Sequence, residues 1–201
     1  MEPGEVMATS TILLFFCEVI LFGGGPQFSG RPEGTQPSVT KTVDDNSELA
    51  RLYQEDQADR APVDAGSIDW GSVTKRDRAR LLRVKELYKQ NLLRTGVDYY
   101  NAAMILQHGD TAEDYLLAHE LCVVAISKGE TRGKWLAAAS EDRFLTKIGR
   151  SQRFGTQYEA QAGGPYRLLT VEAGVSDDLR RALDVPSLAE ARSREVELNK
   201  K

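Results

Sequence analysis

Histidine and cysteine are scarce in this chain, with two of each in 201 residues. Two histidines exclude a His-rich metal centre and leave open only a site that joins one histidine to carboxylates. Cys17 lies in an N-terminal apolar run and Cys122 in a helical apolar pattern. They show no zinc-type spacing, and no structural disulfide between them is expected. No catalytic template is present: there is no G-x-S-x-G elbow, P-loop, H-E-x-x-H or dinucleotide glycine fingerprint. Gly163-Gly164 signals a turn, since neither a Lys-Ser/Thr pair nor a helix follows it directly. No cofactor is therefore expected. Basic residues are not concentrated either. The 26 Lys and Arg are mixed among 30 Asp and Glu, for a formal net charge of -4. No basic stripe with interleaved aromatics stands out, which argues against nucleic acid as a partner.

A bilayer-spanning apolar run is also missing. The apolar stretch from Ile12 to Phe22 has the length of a signal-peptide core, not of a membrane helix. No Lys or Arg precedes it, and Glu18 interrupts it. Gly23 to Asn46 is a Gly/Pro/Ser/Thr tether of the kind that follows export signals. The expectation is an export signal or N-terminal extension plus flexible tether over residues 1–46, then a single helical domain over 47–201. That favours a periplasmic or extracellular protein, with a cytoplasmic one as the alternative. Membrane contact is confined to the N-terminal segment in this reading.

What is present is helical periodicity. Ser47 reads as an N-cap before Leu49, Leu52 and Tyr53, with a helix to about Arg60. Ala61 to Ser72 reads as a loop anchored by Ile68-Asp69-Trp70. Thr74 with Asp77 resembles a capping box, opening a helix to about Leu93. One face of that helix is apolar (Leu81, Val84, Tyr88, Leu92). The other carries Lys75, Arg76, Arg78, Arg80, Arg83 and Lys85 and reads as a solvated charged face. Val97 to Gln107, Thr111 to Ser127 and Gly133 to Ile148 follow as helices. The first two of these form a hairpin similar in length to a tetratricopeptide or Sel1 unit, with no second copy along the chain. Beyond Gly149, residues 154–161 and 166–171 read as a β-hairpin about Gly163-Gly164. Ser176 caps a short helix, and Ser187 with Glu190 caps a last one over Leu188 to Leu198. The class is mainly α: a compact helical domain with a small C-terminal β-hairpin.

Candidate chemistry sits at four places. Asp56, Gln57 and Arg60 share the first helix, with Asp56 and Arg60 four apart and able to pair. His108 ends the third helix, where the dipole suits an imidazolium. His119 lies on the row Tyr115, His119, Cys122, Ile126, where a hydrogen-bonded core histidine is the commoner outcome. Asp142 lies on the row Trp135, Ala138, Ala139, Thr146 and needs a cation or several donors. Arg143 and Arg153 are candidates for that partner. Gln152, Arg153, Thr156 and Gln157 crowd polar groups around one glycine.

The segments Leu52 to Arg60, Ile68-Asp69-Trp70, Gln107-His108-Gly109, Glu141-Asp142-Arg143 and Gln152-Arg153-Phe154-Gly155-Thr156-Gln157 resemble, in order and spacing, an uncharacterised bacterial domain-of-unknown-function family. Its hallmark is a Q-R-(F/Y)-G-T-Q segment. The resemblance spans roughly residues 47–192. It implies a helical domain, frequently behind an export signal, and no reaction.

Three functions remain open on the sequence. One is a binding module whose polar cleft holds a small polar molecule or peptide through Asp56, Gln57, Arg60, Arg143, Gln152, Arg153, Thr156 and Gln157. The second is a hydrolase-like enzyme with His108 or His119 as general base, oriented by Asp142. The third is a structural envelope or interaction protein whose polar clusters are internal.

Overall fold

The computed structural model describes residues 43–61, 68–161 and 164–200. The expected export signal and most of the tether, most of the loop after the first helix, and Gly163 lie outside the described residues. The described chain folds as α1 (Ser47–Ala58), α2 (Trp70–Lys89), α3 (Gly96–Leu106), α4 (Ala112–Ser127), α5 (Gly133–Lys147), β1 (Tyr158–Glu159), β2 (Arg167–Leu168), α6 (Asp177–Ala182) and α7 (Leu188–Leu198). The mainly helical class with one small antiparallel hairpin is thus what the protein adopts. Among the described residues, no helix is long and apolar enough to cross a membrane.

Helix α3 is the centre. Residues 100 to 106 are buried without a break and all but Asn101 are hydrophobic, so the helix is enclosed on every side. Leu49 and Leu52 of α1, Val84 and Leu87 of α2, Ala118, Leu121, Cys122 and Ala125 of α4, and Leu136 and Ala137 of α5 join it in one core. Met104, Ile105 and Leu106 each contribute about 1.5–3 kcal/mol by leaving water. The start of α3 lies against Ala125 and Lys128 at the end of α4, and the start of α5 lies against Cys122 and Ile126. The three helices therefore run up and down. A second, smaller cluster of Ala138, Phe154 and Val185, with Trp135, Val175 and Leu183 packed on it, ties the C-terminal segment to α5.

Helix ends follow side-chain chemistry, with two departures from the sequence reading. Asn46, not Ser47, caps α1 by accepting from Leu49 N. Helix α2 begins at Trp70, because Asp69 accepts from Ser72 N at 3.2 Å. Thr74 instead donates its hydroxyl back to Trp70 O, and Asp77 is taken by Arg60 and Arg80. Thr95, Thr111, Ser176 and Ser187 all cap as side-chain acceptors, and the Ser187–Glu190 box is reciprocal. The strands are shorter than expected. Tyr158 pairs with Leu168 and Glu159 with Arg167, while residues 154–157 have another use.

Candidate functional site

The segment from Gln152 to Gln157 wraps one carboxylate. Asp142, on α5 and fully buried, accepts at Oδ1 from Arg153 N (2.7 Å) and Phe154 N (2.9 Å). At Oδ2 it accepts from Thr156 N (3.0 Å) and Thr156 Oγ1 (2.8 Å). Four donors match the roughly four acceptor sites of a carboxylate. Gly155 makes the wrap feasible: its φ of 86° is a left-handed turn that a side chain would strain. Gln152 closes the loop from inside. Its amide donates to Gln157 O (3.0 Å) and Leu169 O (2.9 Å), and its Oε1 accepts from Gln157 N (2.8 Å). Arg180, from α6, donates to Phe154 O and Arg153 O. The guanidinium of Arg153 turns outward to Glu141 at 3.0 Å.

This geometry reassigns Asp142. The sequence reading asked for a cation or several donors and named Arg143, Arg153 or a histidine as the partner; the fold supplies the donors and not those side chains. Its oxygens instead hold four donors from residues 153–156, with no acceptor capacity left for an imidazole. Asp142 is an internal clasp.

The carboxylate beside a histidine is Asp56. His108 Nε2 lies 3.5 Å from Asp56 Oδ2, with the imidazole 4% exposed and the carboxylate fully buried. Helices α1 and α3 run in the same direction, since Asn46 N also bonds Asp98 at the other end of the pair. That alignment brings residues 52 apart in sequence together. Gln57 donates to Asp56 Oδ2 at 2.8 Å and Arg60 to Oδ1 at 2.8 Å. Arg60 also reaches Asp77 on α2 at 2.5 Å. Arg80, itself buried, bonds Asp59 and Asp77 and lies 3.9 Å from Asp56. Burial pushes the Asp56 carboxyl upward, but the His108 contact, the charges of His108 and Arg60 and the Gln57 amide together hold it below its ordinary range. Burial pushes His108 the other way, below the usual imidazole range. Asp56 opposes this, while Arg60 and Arg143 reinforce it.

Arg143 links the two clusters. Its Nε donates to Gln157 Oε1 at 3.1 Å and its Nη1 to Gln107 Oε1, next to His108 in the chain. Gln157 Nε2 returns to Thr156 Oγ1 at 2.8 Å. A continuous polar path thus runs from the Asp142 clasp through Gln157 and Arg143 to the end of α3.

His119 stands apart from both. Its Nδ1 donates to Ala137 O at 2.9 Å, the behaviour of a satisfied core histidine. Its ring lines a hollow of about 240 Å³ with Leu116, Glu141, Phe144 and Leu145. Among the described residues, no group of three or more His, Cys, Asp or Glu is placed to hold a metal.

Sequence reasoning missed Asp59, Asp77, Arg80, Gln107 and Arg180. Arg80 carried a signal: it shares the helical row of Val73, Val84 and Leu87, which marks a buried cation. Comparison of the chain with protein-family models, with curated proteins and with solved structures finds no match, so what the domain does rests on its own geometry.

Proposed function

We propose that this domain is a binding module that holds a small polar ligand or peptide at the cluster of Asp56, Gln57, Arg60, His108 and Arg143. The observation that carries the reading is the buried His108–Asp56 pair, with cations from two further places in the fold acting on the same imidazole. Perturbed ionisable groups concentrate where proteins bind and react. A neutral imidazole flanked by Arg60 and Arg143 suits a ligand with a hydroxyl or an acidic group. Because the imidazole is almost covered, binding requires a local opening, and association slower than about 10⁵ M⁻¹s⁻¹ is expected. We place the domain outside the cytoplasm, on the strength of the apolar run and tether that precede it in the sequence.

The test is calorimetry of the full chain against a panel of small carboxylates, sugar phosphates and dipeptides. Binding by one class, lost in His108→Gln and Arg143→Gln chains that still unfold cooperatively, supports the reading. A panel without binders, or binding indifferent to both substitutions, sinks it.

The same pair favours a second reading, hydrolase-like catalysis with His108 as general base and Asp56 in the orienting role first given to Asp142. Turnover of an ester panel that rises with pH through one ionisation to a plateau, and disappears in His108→Gln, distinguishes it from simple binding. If neither activity is found, an internal structural role within an envelope or interaction protein remains.

A further inference from the structure

One ring nitrogen of His119 is accounted for and the other is not. A carbonyl oxygen only accepts, so the 2.9 Å contact with Ala137 O places the proton on Nδ1. In the neutral ring Nε2 then carries a lone pair, and it has no hydrogen-bond partner among the described residues. The same bond pins the imidazole of α4 across the seam to α5. The Nε2 edge, turned away from Ala137, is left to the hollow of about 240 Å³ that the ring lines.

The walls of this hollow come from one face of each helix. Leu116 and His119 lie one turn apart on α4, and Glu141, Phe144 and Leu145 follow Ala137 by one and two turns on α5. Leu145, 7% exposed, is the floor, and Leu116, 39% exposed, is the rim. His119, Glu141 and Phe144 are half-buried between them, so solvent reaches this place directly, unlike the His108 pair. Leu116, Phe144 and Leu145 are apolar walls. The charge of Glu141 is already answered by Arg153 at 3.0 Å. The hollow thus offers an apolar interior, a neutral acceptor and a compensated charge. A cavity of about 150 Å³ takes a benzene ring, and drug-sized ligands fill roughly 300–1,000 Å³. A volume between the two suits one ring with a short substituent.

We infer that the hollow is a second small-molecule site, separate from the His108 cluster, for a compact neutral ring that bears one hydroxyl, of the phenol class. The hydroxyl donates to His119 Nε2, and the ring lies among Leu116, Phe144 and Leu145. Rival classes of the same size each fail at a named group. A carboxylate brings no donor and meets both the His119 lone pair and the Glu141 charge. A bare hydrocarbon fits the walls but strips water from Nε2 without replacing it, which costs free energy. An ammonium gives up its hydration for a carboxylate that Arg153 already holds.

The experiment is NMR titration of the full chain, following the methyls of Leu116 and Leu145 and the ring of His119. The probes are four molecules of similar size: p-cresol, toluene, benzylamine and benzoate. p-Cresol should bind with a dissociation constant on the order of 1 mM. It should bind roughly fivefold more tightly than toluene, the ratio that one neutral hydrogen bond supplies. Two substitutions separate recognition from folding. His119→Asn keeps an amide donor for Ala137 O and lacks Nε2, so it should erase the preference for p-cresol while toluene binds as before. Leu116→Ser, at the rim, should weaken both probes and keep their ratio. Those results support the proposal. Absence of shifts at Leu116 and Leu145 with p-cresol, or no preference over toluene, overturns it. Tighter binding of benzylamine or benzoate, or a preference for p-cresol that survives in His119→Asn, overturns it as well. The probe ranking in the parent chain and Leu116→Ser decide the matter even where His119→Asn does not fold.

Discussion

Thr156 spends both of its donors on Asp142: its amide and its hydroxyl end on the same carboxylate oxygen, at 3.0 and 2.8 Å. That oxygen cannot be replaced by an amide nitrogen without setting donor against donor. Asp142→Asn loses about 3 kcal/mol of stability, from charge-assisted hydrogen bonds removed and buried donors left facing a donor. Urea unfolding of the variant measures it. A midpoint equal to that of the parent chain would show that the clasp is ornamental.

The His108–Asp56 pair makes stability depend on pH. Burial lowers the imidazole pKa in the folded state below the unfolded value of about 6.5. The unfolded chain therefore binds the proton first, and the stability held by neutral His108 is present above that value and lost as pH falls through the folded pKa. Asp56, also lowered, adds a loss of the same sign further down, below about pH 3.9. Urea midpoints taken between neutral and mildly acidic pH should decline in the parent chain and decline less in His108→Gln. Parallel profiles would mean that another group titrates.

Gly109 closes the turn between α3 and α4 with no room beside it. A Cβ there would stand 2.6 Å from Asp114 Cβ, and the Asp114 carboxylate is buried against Lys85. Gly109→Ala should therefore cost about 2 kcal/mol through forced displacement of the helix start. Thermal denaturation decides this, with Gly149→Ala as a comparison in which only the positive φ of 77° is strained and open space lies beside the backbone.

Cys122 is fully buried in the main core, and burial drives its thiol far above the ordinary range. A thiol that does not ionise does not react. Iodoacetamide should leave the Cys122 peptide unmodified under native conditions and modify it fully in denaturant, as read by mass spectrometry. Labelling at native rates close to the denatured rate would show that α4 opens freely.

How much of this was legible in the sequence depends on the reach of each interaction. Local chemistry could be read: Thr111, Ser176 and the Ser187–Glu190 box cap the helices they were expected to cap, and Asp56 pairs with Arg60 one turn away. The capping reading of Thr74 and Asp77 failed because Asp69 caps the helix, which begins at Trp70, four residues before Thr74, and leaves both residues inside α2. The polar crowding at Gln152 to Gln157 was visible, and so was its need for fixed partners. Its target was not, because a carboxylate satisfied by backbone N–H groups leaves no mark on the side chains that surround it. The His108–Asp56 contact spans 52 residues and depends on α1 lying alongside α3. No local pattern encodes that arrangement.

Arg180 gives the C-terminal segment a temporal meaning. Its guanidinium donates to the carbonyls of Arg153, Phe154 and Val175 and to Asp177, so one side chain bridges positions 27 residues apart. Chains emerge from the ribosome N-terminus first, and helices α3 to α5 can pair as soon as they are free. The wrap around Asp142 draws its four donors from residues 153–156, but the groups that brace it, the Leu169 carbonyl and the Arg180 guanidinium, are made later. Synthesis therefore passes through a stage in which the α3–α5 core is assembled while Phe154, which belongs under Val175 and Val185, is still uncovered. At that stage a nascent chain exposes an aromatic residue to proteases and chaperones, and the last thirty or so residues decide how long the exposure lasts.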